Sequence, residues 1–120
     1  MNSQIKLLNP RRERRIPARF SWLDQRLVRE QYLASLSVDA QALYLFLACV
    51  SDASGMSYYS NSGIAKHLTM ESINTARQEL IKASLLAYQA PLYQLLSLEK
   101  PAVKKGGEIQ NNLSREEFLM

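Results

Sequence analysis

The stretch SGIAKHLTMESINTARQEL, residues 62–80, limits the fold more than any other part of the chain. Helical apolar spacing begins at Ile64, stops near Leu68 and restarts by Ile73. A helix of about two turns is marginal in water unless tertiary packing holds it. The spacing therefore predicts two helices set at a sharp angle, the first acting as a brace for the second. Ala65 is expected at the crossing, where a larger side chain would push the helices apart. Thr69 is expected to cap the second helix, with Ser72 three residues on as a weak relative of the capping box.

Other elements follow from the flanking patterns. Leu23, Leu27, Val28 and Tyr32 predict an amphipathic helix from Ser21 to near Leu33, capped by Ser21 or Asp24. Ser37 is the expected cap of the next helix, because Asp39 follows in the first turn and an apolar run starts at Ala40. That helix, reaching about Ser51, is apolar on nearly all sides and is expected at the centre of the core, with Cys49 as a buried thiol. Asp52-Ala53-Ser54-Gly55 reads as a turn and Met56-Ser57-Tyr58-Tyr59 as one brief strand. Ser60 or Asn61 is placed to cap the short helix. Ile73, Ala76, Leu80 and Ala83 form the inward face of its successor, with Asn74, Arg77, Gln78 and Lys82 elsewhere on the cylinder. Leu85–Tyr88 and Tyr93–Leu98 are strand-length runs that predict an antiparallel hairpin. Lys104-Lys105-Gly106-Gly107 reads as a linker, and Ser114 opens a further helical pattern.

Charge separates one segment from the rest. Residues 1–19 carry Lys6, Arg11, Arg12, Arg14, Arg15 and Arg19 against Glu13 alone. Residues 20–98 carry five basic and six acidic side chains, and the remainder is balanced, so the whole excess of positive charge belongs to the N-terminal arm. One cysteine leaves no internal disulfide, and one histidine, His67, leaves no metal-ligand spacing. The apolar run at 40–50 is shorter than the roughly 20 residues a membrane span needs. An arginine-rich N-terminus without an apolar stretch is not a secretory signal, and a cytoplasmic protein without a cofactor is expected. The Ser, Asp and Glu residues show no nucleophile–base arrangement, so a non-enzyme is expected.

The order helix, helix, short strand, short helix, helix, hairpin, with Ile64-Ala65, Leu68, Ile73, Leu80 and Leu85-Leu86, resembles a winged helix-turn-helix. The segment ARFSWLDQRLVREQYLASLSVDAQALYLFLACV is similar to the openings of winged-helix domains in phage and plasmid replication proteins. The resemblance covers about residues 18–98 and implies a mainly α fold with a small β-hairpin, flanked by a basic arm at 1–17 and a linker and tail at 100–120. Two departures stand out. The turn from Leu68 to Ile73 is short, with Thr69 where glycine is common, and residues 83–98 contain no charge at all.

The function this implies is binding of double-stranded DNA by a small regulator or a replication or transposition accessory of a mobile element. Asn74, Arg77 and Gln78 are residue types that read base edges from a helix in the major groove. Lys66, Ser72 and Lys82 complete that expected surface. Arg11, Arg12, Arg14, Arg15 and Arg19 would lie along phosphates or in the minor groove, while Glu71 and Glu79 oppose close approach. Phe20, Trp22, Tyr58 and Tyr59 suit either a base-stacking platform or, as the favoured expectation, core packing. The rival reading is a protein-interaction module. Its homodimer or partner contact would use the uncharged hairpin, through Tyr88, Leu92, Tyr93 and Leu95, or the N-terminal helix.

Overall fold

The computed structural model describes residues 6–98, so the expected linker at 104–107 and the helical pattern from Ser114 lie outside the described residues. Elements follow in the order α1 (Arg26–Arg29), α2 (Val38–Val50), β1 (Met56–Tyr58), α3 (Asn61–Ala65), α4 (Ile73–Lys82), β2 (Leu86–Gln89) and β3 (Leu92–Leu95). Short 3-10 turns lie at Pro10–Arg12 and Leu33–Ser35. The architecture is mixed α/β. β1 is not an isolated strand but pairs antiparallel with β3, giving a three-stranded sheet of order β1-β3-β2.

The register aligns Ser57, Tyr93 and Tyr88 across the sheet, and alternation turns Leu86, Tyr88, Tyr93 and Leu95 toward the helices. Leu43, Leu47, Ile64, Leu80, Leu85, Leu86 and Tyr93 are completely enclosed between α2, α3, α4 and the sheet. Each such side chain contributes about 2 kcal/mol through the apolar surface it removes from water. The expected long N-terminal helix is one turn only. Of its apolar set Leu27 is buried while Leu23 and Val28 face solvent, and one buried side chain supports one turn. Gln31, in the left-handed region at φ 69°, ends it.

α2 is capped by Ser37, whose Oγ accepts from the Ala40 amide at 3.1 Å. Its outward side stays exposed at Val38, Leu45 and Cys49. The thiol is therefore not a core group, because sheet and α4 cover only one side of an evenly apolar helix. α3 is capped by Ser60, with the Gly63 amide donating to its Oγ at 3.0 Å. Ala65 is exposed, which corrects its expected place at the crossing. Ile64 is the buried contact, and a Cβ on Gly63 would come within 3.3 Å of Tyr59 and of Ser60. α4 starts from Ser72 rather than Thr69, through an Oγ that accepts from the Thr75 amide at 3.0 Å.

Two turns set the chain's reversals. In the 52–55 turn, Asp52 Oδ1 accepts from the amides of Ser54 and Met56 at 2.8 and 3.0 Å. Gly55 follows at φ +90°, where a Cβ would meet the Leu95 carbonyl oxygen at 2.8 Å. α4 ends in a Schellman arrangement: the Leu85 amide donates to the Leu80 carbonyl and the Ser84 amide to that of Ile81, both at 3.0 Å. Ser84 occupies the left-handed position, at φ 62°. Replacing Gly55 by Ala is expected to lower unfolding stability by about 1–3 kcal/mol. Ser84→Gly is expected to raise it by about 0.5–1 kcal/mol, since a left-handed non-glycine residue costs slightly more than glycine's extra chain entropy. Urea unfolding of both variants checks the two signs together.

Candidate nucleic-acid interface

α4 is the element the site depends on, and both of its sides have defined partners. Ile73, Ala76, Arg77 and Leu80 face inward, while Glu71, Asn74, Thr75, Gln78 and Lys82 are exposed. Spaced four residues apart, Asn74, Gln78 and Lys82 form one row along the outside. Lys66, just past α3, is exposed as well.

Arg77 departs from the expected outer face. It is 6 % exposed, with one Nη1 donating to Tyr93 Oη at 2.7 Å and to Asn61 Oδ1 at 3.0 Å. Its Nη2 donates to Asn74 Oδ1, and the guanidinium lies over the Tyr88 ring, 4.3 Å from the centroid. A buried guanidinium is costly unless its donors are met, and these partners take three of its five N–H groups while the Tyr88 ring faces its plane. Arg77 is thus a fastener between α4, α3 and the sheet, and is not placed to read a base edge. The sequence did carry a signal for this, because Ile73, Ala76, Arg77 and Leu80 have the i, i+3, i+4, i+7 spacing of one helix face.

Arg77 also fixes what Asn74 shows to the outside. A guanidinium only donates, so the Asn74 atom facing it is the oxygen, which also accepts from Asn61 Nδ2 at 3.2 Å. That leaves the Nδ2 donor outward. The bidentate adenine contact, which needs the oxygen and the nitrogen together, is closed to Asn74 but open to Gln78. Ser72, expected to touch DNA, spends its hydroxyl on the α4 cap.

Glu79 fastens the same helix to α2. Its carboxylate accepts from the Ser37 amide at 2.6 Å and from Ser37 Oγ at 2.7 Å. This is a capping box completed from another helix, since Ala40 stands where α2 would need its own glutamate. Those bonds hold the Glu79 carboxyl below its ordinary range. Being committed to Ser37, Glu79 points away from the Asn74–Gln78–Lys82 row, although Glu71 remains exposed near the start of α4.

No significant match emerged from family models, curated proteins or solved structures.

Around α4 the other expected residues sort clearly. Arg11, Arg12, Arg14, Arg15 and Arg19 are all exposed, with Arg15 within 3.9 Å of Glu13. Tyr93, offered as a hairpin interface residue, is completely buried; Tyr88 is half-buried under Arg77, and Leu92 is 42 % exposed. The hairpin therefore presents far less apolar surface than its composition suggests. Phe20, Trp22 and Tyr58 are exposed at 64, 70 and 71 %, against the expectation of core packing, whereas Tyr59 packs edge-on to Phe46 at 5.0 Å between centroids. His67 lies against Phe46, its ring centroid 5.4 Å away. Among the described residues there is no group of acidic, His and Cys side chains able to hold a metal, and no helix long and apolar enough to cross a membrane.

Arg77→Ala is expected to cost about 2–4 kcal/mol, because it orphans the buried Tyr93 hydroxyl and removes the cation from Tyr88; thermal unfolding measures it. The Glu79 bonds have the opposite reach in pH. Because the folded-state pKa lies below 4.5, their stabilisation is present at neutral pH and is lost as pH falls through that lowered value. Unfolding between pH 7 and pH 3 should show that loss in the native chain and a smaller one in Glu79→Gln.

Proposed function

We propose that the chain binds double-stranded DNA through the outer row of α4, with the arginine arm holding the flanking backbone. The observation that carries this reading is the two-sided commitment of α4. Arg77 and Glu79 tie it to α3, the sheet and α2, while Asn74, Gln78 and Lys82 stay unburied in one row. A helix held this firmly, with amide and cationic tips outward, suits delivery into a major groove. The order of elements and the β1-β3-β2 sheet support a winged-helix reading of the domain. In that reading α3 is the brace, α4 the recognition helix and β2–β3 the wing.

The uncharged wing contributes little to phosphate binding, so affinity depends on the arm. With four or five arginines engaging phosphates, the logarithm of the binding constant should fall with log salt at a slope of about −4. Replacing Arg11, Arg12, Arg14 and Arg15 by Ala should flatten that slope and weaken all duplexes alike. Gln78→Ala should instead narrow the gap between preferred and random duplexes by about 1–3 kcal/mol, with the slope unchanged. Fluorescence anisotropy on both duplex types at two salt concentrations tests this division. Equal effects of the two replacements on both readouts would contradict it. A role as regulator or as replication or transposition accessory of a mobile element fits such a small binding chain.

A further inference from the structure

A cavity of about 490 Å³ lies between the 20–26 segment, the C-terminal half of α2, the 52–55 turn and the chain after β3. Its volume is in the range of small-ligand sites. Phe20 and Trp22 stand at it, largely exposed, and neither ring contacts another aromatic ring among the described residues. The intervening Ser21 ties this segment to α2, donating its hydroxyl to the Cys49 carbonyl at 3.1 Å.

Tyr44 also lines this cavity. It is 7 % exposed, and its hydroxyl has no hydrogen-bond partner among the described residues. The hydroxyl is not sealed either, so it keeps a small opening. Open to the cavity, this hydroxyl keeps its donor and acceptor free for a ligand atom. Burial and the neighbouring Asp24 carboxylate both raise its pKa, so it meets that ligand as a neutral hydroxyl.

The lining chemistry selects the ligand. Asp24 is held by Arg26 in a forked pair at 2.6–3.1 Å, and Asp52 uses Oδ1 on two backbone amides, leaving Oδ2 without a partner. With Arg26, also in the wall, committed to Asp24, the free acceptor is Asp52 Oδ2, which disfavours a phosphate and suits a neutral ring that carries N–H donors. Arg19, directly before Phe20, is exposed, as is Arg15, which lies within 3.9 Å of Glu13. We propose that this cavity receives one unpaired nucleobase of a nucleic acid, stacked on Phe20 or Trp22 and hydrogen-bonded to Tyr44, with its phosphates on the arm. The proposal rests on nucleic acid being the partner but uses none of the α4 row.

Trp22 is the single tryptophan of the chain, so its fluorescence reports the site directly. The full chain is titrated with oligo-dA of about 12 nucleotides, within the span such surfaces cover, and with a fully abasic strand of equal length and charge. Oligo-dA should quench Trp22 and bind about 5- to 150-fold more tightly than the abasic strand, the equivalent of one stacked base. By anisotropy, Trp22→Leu should lose a similar factor, and the near-isosteric Tyr44→Phe about 2- to 10-fold. Duplex binding should stay unchanged in Tyr44→Phe, and an unaltered melting temperature would exclude misfolding. Equal quenching by both strands, or unchanged oligo-dA affinity in Tyr44→Phe, overturns the proposal. Duplex binding that depends on Gln78 without Trp22 quenching overturns this site alone. Quenching by oligo-dA without any duplex binding supports the cavity and defeats the α4 reading, and binding of neither strand type defeats both.

Discussion

The buried hydrogen bond from Arg77 to Tyr93 is the contact on which the arrangement of α4 depends. Tyr93 sits in the central strand of the sheet, so whatever is tied to its hydroxyl takes its position from the sheet. Through the same guanidinium, Asn61 at the start of α3 and Asn74 on α4 are brought to one point. An aliphatic side chain at position 77 would pack against Tyr88 without specifying direction. A planar donor fork sets both the rotation of α4 about its axis and the spacing to α3. That rotation decides which residues form the outer row, so the identity of the exposed face is a consequence of an interior polar contact.

Glu79 repeats the device on the far side of the helix. Its carboxylate completes the cap of α2, so the N-terminus of the longest helix and the middle of α4 cannot shift independently. In the proposed reading the domain offers two distinct surfaces to a nucleic acid. One is a rigid helix row with amide and amine tips; the other is an aromatic-walled cavity near the root of the arginine arm. Their chemistries differ, hydrogen-bond readout against stacking, and they use separate elements.

How far the sequence foretold this depends on the kind of interaction. The cap at Ser37 was legible, and Ser60 was one of two candidates with Asn61, since a hydroxyl before an apolar period has few other uses. Thr69 is the cap that the apolar spacing suggests, with Ser72 only its capping-box partner, yet Ser72 itself caps α4 because packing begins at Ile73. Exposure of Cys49 was not legible, because α2 is apolar on every side and its uncovered face is set by which elements arrive. Residue type suggests an outward, base-reading Arg77, although its helical position points inward. Size suggests an inward Phe20 and Trp22, although they follow an arm with no apolar period to dock them. In both cases residue type outweighed placement. The joining of β1 to the hairpin likewise required long-range pairing that no local pattern encodes.

The most direct test is a double-mutant cycle on unfolding free energy with Arg77→Met, Tyr93→Phe and the combination. If this contact governs α4, the two changes should couple by about 1–3 kcal/mol, because either one alone strands its partner in the interior. Additive effects within about 0.5 kcal/mol would mean that α4 takes its orientation from apolar packing alone, and would contradict the account.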